Sequence, residues 1–161
     1  MTMKPPADWL PGLVAGNHFA VNGAVCTLNY AEVYPEGVTA SISIRFRGRV
    51  SDSEDGAARH QIDAAAKGSP VSGPRLVLKQ AGALNAYGTL ISVEGEPGFW
   101  TLRYWFIHGT LPVECRFHLV WSEAGIDATF ILSEGPMAAA LDAMEDLTAW
   151  PFPIENKDFE P

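Results

Sequence analysis

The chain has only two cysteines in 161 residues, Cys26 and Cys115, and that scarcity excludes a disulfide framework. Each sits inside an alternating apolar pattern, so the expectation is two buried thiols that pack as small hydrophobes. No C-x-x-C pair exists for zinc or redox work, no G-x-S-x-G elbow for an α/β hydrolase, and no glycine-rich phosphate loop of either common type. The four histidines, His18, His60, His108 and His118, are not spaced to share a metal. Glu114 and His118 fall on one strand face but lie about 13 Å apart at strand rise, too far to ligate one ion. No metal, cofactor or catalytic residue is therefore expected. Basic residues are also few, 11 Lys and Arg against 19 Asp and Glu for a net charge of −8. Such a balance argues against binding the phosphate backbone of nucleic acids. No stretch reaches the roughly 18 apolar residues of a membrane span. The start, MTMKPPADWLPGLVAG, lacks the continuous apolar core of a secretory leader, so the expected location is cytoplasmic.

What the chain does have is turn formers, 15 Gly and 12 Pro, between short alternating runs. That pattern predicts an all-β fold in a single domain. The stretch from Phe99 to Trp121 reads as two strands joined at Gly109-Thr110-Leu111-Pro112, which would pair Trp100 with Trp121, Leu102 with Leu119, Tyr104 with Phe117 and Phe106 with Cys115 on a core face. The opposite face would set Trp105 against Arg116, Arg103 against His118 and Ile107 against Glu114. A guanidinium over an indole at an exposed site contributes about 0.5–1 kcal/mol, and tryptophan with arginine is also the composition of a binding hot spot.

Asn22-Gly23 between His18–Val21 and Ala24–Tyr34 predicts a two-residue hairpin, and Pro35 with Gly37 a turn. Val38 to Phe46 alternates with Thr39, Ser41, Ser43 and Arg45, predicting one buried and one wet face. Further strands are expected at Arg75–Lys79, at Tyr87–Val93 with Tyr87, Thr89, Ile91 and Val93 on one face, and at Ile126–Leu132. Residues 48–74 read as a long exposed loop with a helical turn near Ala57–Ala66. After Ser133 the period changes to 3.6, predicting a helix over 134–150 that ends at Trp150-Pro151. The expected architecture is an antiparallel β-sandwich of about seven or eight strands over 18–133 with one C-terminal amphipathic helix. Residues 1–17 would drape over it, anchored by Trp9, and 151–161 would form an acidic tail.

The order and spacing of Tyr34-Pro35 and Gly37 before an alternating strand, of Arg103-Tyr104-Trp105 before a proline-containing turn, and of Trp121 with Gly125-Ile126 before a strand, a helix and Trp150-Pro151 resembles a family of small β-rich bacterial proteins with no established function. The resemblance covers roughly 24–151. It implies a β-rich domain and carries over no catalytic residue.

The functional expectation is a non-enzymatic interaction or assembly module that binds another protein or a second copy of itself. Its candidate surface is Arg103, Trp105, Ile107, Arg116 and His118, with Asp142, Glu145 and Asp146 on the helix. One alternative is a small-molecule binder or hydrolase with a site between the sheets or under 48–74, drawing on Tyr87, Arg103, Glu114 and His118. Another is an acidic immunity or inhibitor protein, because Glu134–Pro161 holds seven acidic residues and one lysine.

Overall fold

The structure, a computed structural model, describes residues 4–7, 9–16, 18–21, 23–48, 50–69, 71–79, 85–107 and 114–146. The alternating runs become strands and fold into two antiparallel sheets with a filled core between them. In order, β1 is Trp9–Leu10, β2 Gly12–Ala15, β3 His18–Val21, β4 Ala24–Tyr34 and β5 Gly37–Phe46. Helix α1, Asp52–Ala66, separates these from β6 Arg75–Lys79, β7 Ala86–Tyr87, β8 Thr89–Glu96, β9 Phe99–Ile107, β10 Cys115–Trp121 and β11 Ile126–Leu132. Helix α2, Glu134–Asp142, and the two-residue β12, Glu145–Asp146, complete the described chain.

The larger sheet runs β2-β4-β5-β9-β8, with β3 following β2 along the same edge of β4. The smaller sheet runs β11-β10-β6-β7. The fold is therefore the expected all-β, sandwich-like architecture, with open rather than closed sheets. β3 and β4 pair antiparallel with Val21 opposite Ala24, as the predicted hairpin requires, while Asn22 of its turn lies outside the described residues. The alternation also assigns the core faces correctly: Trp100, Leu102, Tyr104 and Phe106 from β9 are buried with Cys115, Phe117, Leu119 and Trp121 from β10.

The central hairpin does not form. β9 pairs with β5 and β8 in the larger sheet, while β10 pairs with β11 and β6 in the smaller one. Their apolar rows meet across the sandwich instead of side by side, as with the rings of Phe106 and Phe117 at 5.4 Å between centroids. Alternation identifies the buried face of a strand but not its neighbour, because a residue facing the core satisfies either arrangement. The proposed connection at 109–112 lies outside the described residues.

Four other expectations are corrected. Tyr87–Val93 is not one strand, for the chain changes sheets at Gly88 and leaves β7 on β6 and β8 on β9. A Cβ at Gly88 would lie 2.7 Å from the Phe106 ring, so the crossing needs a residue without a side chain. Residues 9–15 do not merely drape, for β2 extends the larger sheet and β1 pairs with β12. The 134–150 helix ends at Asp142, while Thr148 and Trp150-Pro151 lie outside the described residues. Finally, 48–74 is not a loop with one turn but contains the 15-residue α1.

That helix escapes a periodicity search because Ile62 is its one buried residue. The local signal is at its start. The Ser51 hydroxyl accepts from the Glu54 N–H at 3.2 Å and donates to Glu54 Oε1 at 2.8 Å. This is a variant of the S/T-x-x-E capping box, reinforced by Asp52, Glu54 and Asp55 in a first turn whose dipole favours anions.

Candidate functional site

The candidate surface residues do not come together. Arg103 and Trp105 lie on the outer face of the larger sheet, Arg116 and His118 on the outer face of the smaller one, so the Trp105–Arg116 stack is absent. Arg116 instead bonds Glu114 at 2.9 Å with both side chains exposed, and His118 Nε2 pairs with Asp127 rather than facing Arg103. Asp142 and Glu145 are exposed near the end of α2, and Asp146 pairs by its backbone with Trp9. Tyr87, Arg103, Glu114 and His118 are likewise dispersed, with Tyr87 69% exposed at the β7 edge of the smaller sheet. The interior of the sandwich is packed with apolar side chains.

Trp105 is 1% exposed although its face of the strand points away from the core. Its ring lies across the bare backbone of Gly37 and meets the edge of Tyr34 at 5.8 Å and 79°. Beside it Arg103 pairs with Glu32, whose Oε1 also accepts from Thr39 Oγ1 at 2.9 Å. Burial and the charge of Glu32 raise the pKa of Tyr34 despite the opposing charge of Arg103. Asn29 bonds Ser43 at 2.7 Å, and Ser43 meets Thr101 at 3.2 Å. The supposedly wet face of β5 is thus a buried polar ladder, with Thr39 at 0% and Ser41 at 4% exposure. Hydrogen bonding among neighbours lets these hydroxyls be buried without large cost. Ile107 stands opposite Gly37 at the end of this cluster and is partly exposed.

The concave surface is elsewhere, beneath α1. Three contacts hold the helix against one end of the sandwich. Ile62 is buried in the core, Gln61 Oε1 accepts from Trp121 Nε1 at 2.7 Å, and the Arg59 guanidinium sits 4.9 Å over the Trp100 ring while its Nε bonds Asp55 Oδ2 at 2.8 Å. The chain leaving the helix is pinned by Glu123, which accepts from the Ser72 hydroxyl and the Gly73 N–H, both at 3.0 Å. Tyr104 then donates to the Pro74 carbonyl at 3.0 Å.

Between α1 and the strand ends lies a half-open cleft of about 420 Å³, with Phe46, Trp100 and Trp121 as an aromatic floor and Arg47, Glu54, Asp55, Gln61 and Glu123 around it. A second, more apolar cavity of about 310 Å³ opens beside it, lined by Pro74, Leu76, Leu90 and Tyr104 with Arg75 and Tyr87. Of the three carboxylates in the larger cleft, Asp55 is paired with Arg59 and Glu123 feels the charge of Arg75, and Arg47 stands on the rim. Slight burial raises the pKa of Glu123, but the Gly73 and Ser72 hydrogen bonds and the charge of Arg75 outweigh it and hold the carboxyl below its usual range. Asp55 Oδ1 is buried with no hydrogen-bond partner. A concave site with an aromatic floor and a few convergent polar groups is suited to binding.

Sequence reasoning missed Glu54, Asp55, Gln61 and Glu123 because the segment carrying the first three reads as flexible until the Ser51-x-x-Glu54 signal is recognised. Among the described residues no three His, Cys, Asp or Glu converge as a metal site, and no helix is long and apolar enough to cross a membrane. No protein-family model, curated protein or solved structure matches the chain.

Proposed function

We propose that this protein is a non-enzymatic interaction module whose binding site is the cleft beneath α1, which receives a side chain projecting from a partner protein. The observation that carries the reading is the cleft itself, a cavity of about 420 Å³ over Trp100 and Trp121 with polar groups converging on it. Its half-open mouth favours a projecting group over a free small molecule. Small molecules bind in cavities that cover most of their surface, whereas this mouth is rimmed by the exposed side chains of Arg47, Glu54, Ala57 and Glu123.

The test is to fill the cleft without touching the core. Ala57→Trp places an indole at the exposed rim and should leave the melting temperature nearly unchanged. It should abolish retention of a partner captured by the natural protein, or self-association measured by light scattering. Arg116→Ala with His118→Ala, on the opposite sheet, should leave association intact. A partner held equally well by Ala57→Trp and lost from the Arg116/His118 variant would move the site to the smaller sheet.

A further inference from the structure

We infer that α1 is a movable lid: the helix swings away from the end of the sandwich and uncovers an apolar floor on which the partner's projecting group takes its full seat. The seat rests on the cleft being the binding site, whereas the motion of the helix stands without it. Hollows lie on both flanks of α1. Ala57, Ala58 and Gln61 line the cleft of about 420 Å³, and Ala65 with Gly68 and Ser69 lines the neighbouring cavity of about 310 Å³. Atoms that face a void have no packing partners on that side, so the helix meets the strands along a narrow seam. Ile62 is its one buried residue, and Ala58 adds only a methyl group to the core. Lifting α1 joins the two hollows and uncovers Trp100 and Trp121, both buried with the helix in place.

The ends of the helix suit such a motion. Gly48 before it and Gly68 and Gly73 after it have positive φ, at 80°, 86° and 84°, and a Cβ on Gly48 or Gly68 would meet nothing within 4 Å. Glycine serves there for backbone conformation rather than close packing, and small residues at the ends of an element absorb the dihedral changes of its movement. The contacts that stabilise the helix are local to it. The Ser51–Glu54 cap and the Arg59–Asp55 pair, four residues apart, travel with it when it lifts. Besides Ile62, the contacts that fasten it to the strands are polar, the Trp121 indole N–H to Gln61 at 2.7 Å and Arg59 over Trp100 at 4.9 Å, and water replaces such contacts at small net cost. An element with little buried apolar surface opens at lower free energy than the core it rests on.

The experiment follows hydrogen exchange of the indole N–H groups of Trp121 and Trp105 by NMR of the full chain, in urea concentrations below the unfolding transition. The Trp121 N–H is bonded to α1 and is released when the lid lifts. Trp105 is buried just as deeply but on the outer face of the larger sheet, against Gly37, and exchanges only when that sheet opens. Trp121 should exchange at least about 100-fold faster than Trp105 and respond weakly to urea, because a lifting helix exposes little surface, while Trp105 should quicken steeply. Ile42→Val, in β5 between Leu28 and Leu102, lowers global stability and should quicken Trp105 by about two- to tenfold. It should leave Trp121 unchanged, since residue 42 stays buried whether the lid is open or closed. Equal rates for the two indoles with one urea dependence, or a Trp121 rate that follows Trp105 in Ile42→Val, overturns the lid. Ile62→Val loosens the closed form, so free indole, the probe for the uncovered floor, should bind this variant about two- to tenfold more tightly than the natural protein. Unchanged or weaker binding overturns the seat under the lid. If indole binds neither protein while Trp121 still exchanges fast, the helix moves over no binding site, and the proposed function falls while the motion stands.

Discussion

Trp105 and Gly37 decide each other's environment. An outward residue on a sheet is ordinarily half-wet, yet Trp105 is 1% exposed because Gly37 on the adjacent strand leaves room for the ring to lie flat against backbone. Its loss therefore counts as a core truncation: Trp105→Ala should cost about 3–5 kcal/mol, comparable to Phe117→Ala, rather than the roughly 1 kcal/mol of an exposed cation–π contact. Denaturant unfolding of the two variants side by side checks this, and a Trp105→Ala loss near 1 kcal/mol would return that residue to the surface. Gly37→Ala tests the same packing from the other side. The added Cβ would stand 2.0 Å from the Phe106 carbonyl oxygen and 2.8 Å from the indole, so a shift of backbone is unavoidable. The expected cost is on the order of 1–3 kcal/mol, as for overpacking generally. The cysteines behave as the sequence implies, both free and buried, with burial pushing the Cys26 thiol up to about 11 and the Cys115 thiol up to about 12.

Most strands were legible in the sequence, and the partners of β9 and β10 were not. Ala24–Tyr34, Arg75–Lys79 and Ile126–Leu132 have the boundaries their alternation suggests, because period two depends only on which face is buried. The partner of β9 depends on where the chain travels between strands, and the intervening segments carry no such signal. A cross-linking pair separates the two registers. Ser43 stands opposite Thr101 with hydroxyls 3.2 Å apart, so Ser43→Cys with Thr101→Cys should oxidise to a disulfide. Arg103→Cys with His118→Cys, partners only in the rejected hairpin, should not. Mass spectrometry under mild oxidation reads the result. The site was still less legible, since α1 contributes Glu54, Asp55 and Gln61 from a segment whose one buried residue, Ile62, gives no apolar stripe. How the segment after α1 is fastened can be tested with acid. The folded pKa of Glu123 is depressed, so its contribution to stability is fully present above the unfolded carboxylate range and is lost as pH falls through the folded value. Glu123→Gln should flatten the acid limb of stability against pH, and an unchanged limb would show that its bonds to Ser72 and Gly73 do not hold the segment.

At the scale of the whole molecule, on the proposed function, the net charge of −8 should govern how fast a basic partner arrives and the cleft how long it stays. Seven acidic residues against one lysine in Glu134–Pro161 place −6 of that charge in the last part of the sequence, and exposed Asp142 and Glu145 are among them. Charges outside a contact patch chiefly change association rates, and their reach shrinks from about 10 Å at 0.1 M salt to about 3 Å at 1 M. Asp142→Asn with Glu145→Gln should therefore slow association of a basic partner at low ionic strength, converge with the natural protein at high salt, and leave dissociation unchanged. Glu123→Gln, inside the cleft, should do the reverse and speed dissociation at every salt concentration. Stopped-flow tryptophan fluorescence with a basic partner captured by the natural protein separates the two effects. If the Asp142/Glu145 variant changed dissociation instead, the end of α2 would be part of the contact, and the acidic end of the chain would belong to the binding surface rather than to the field around it.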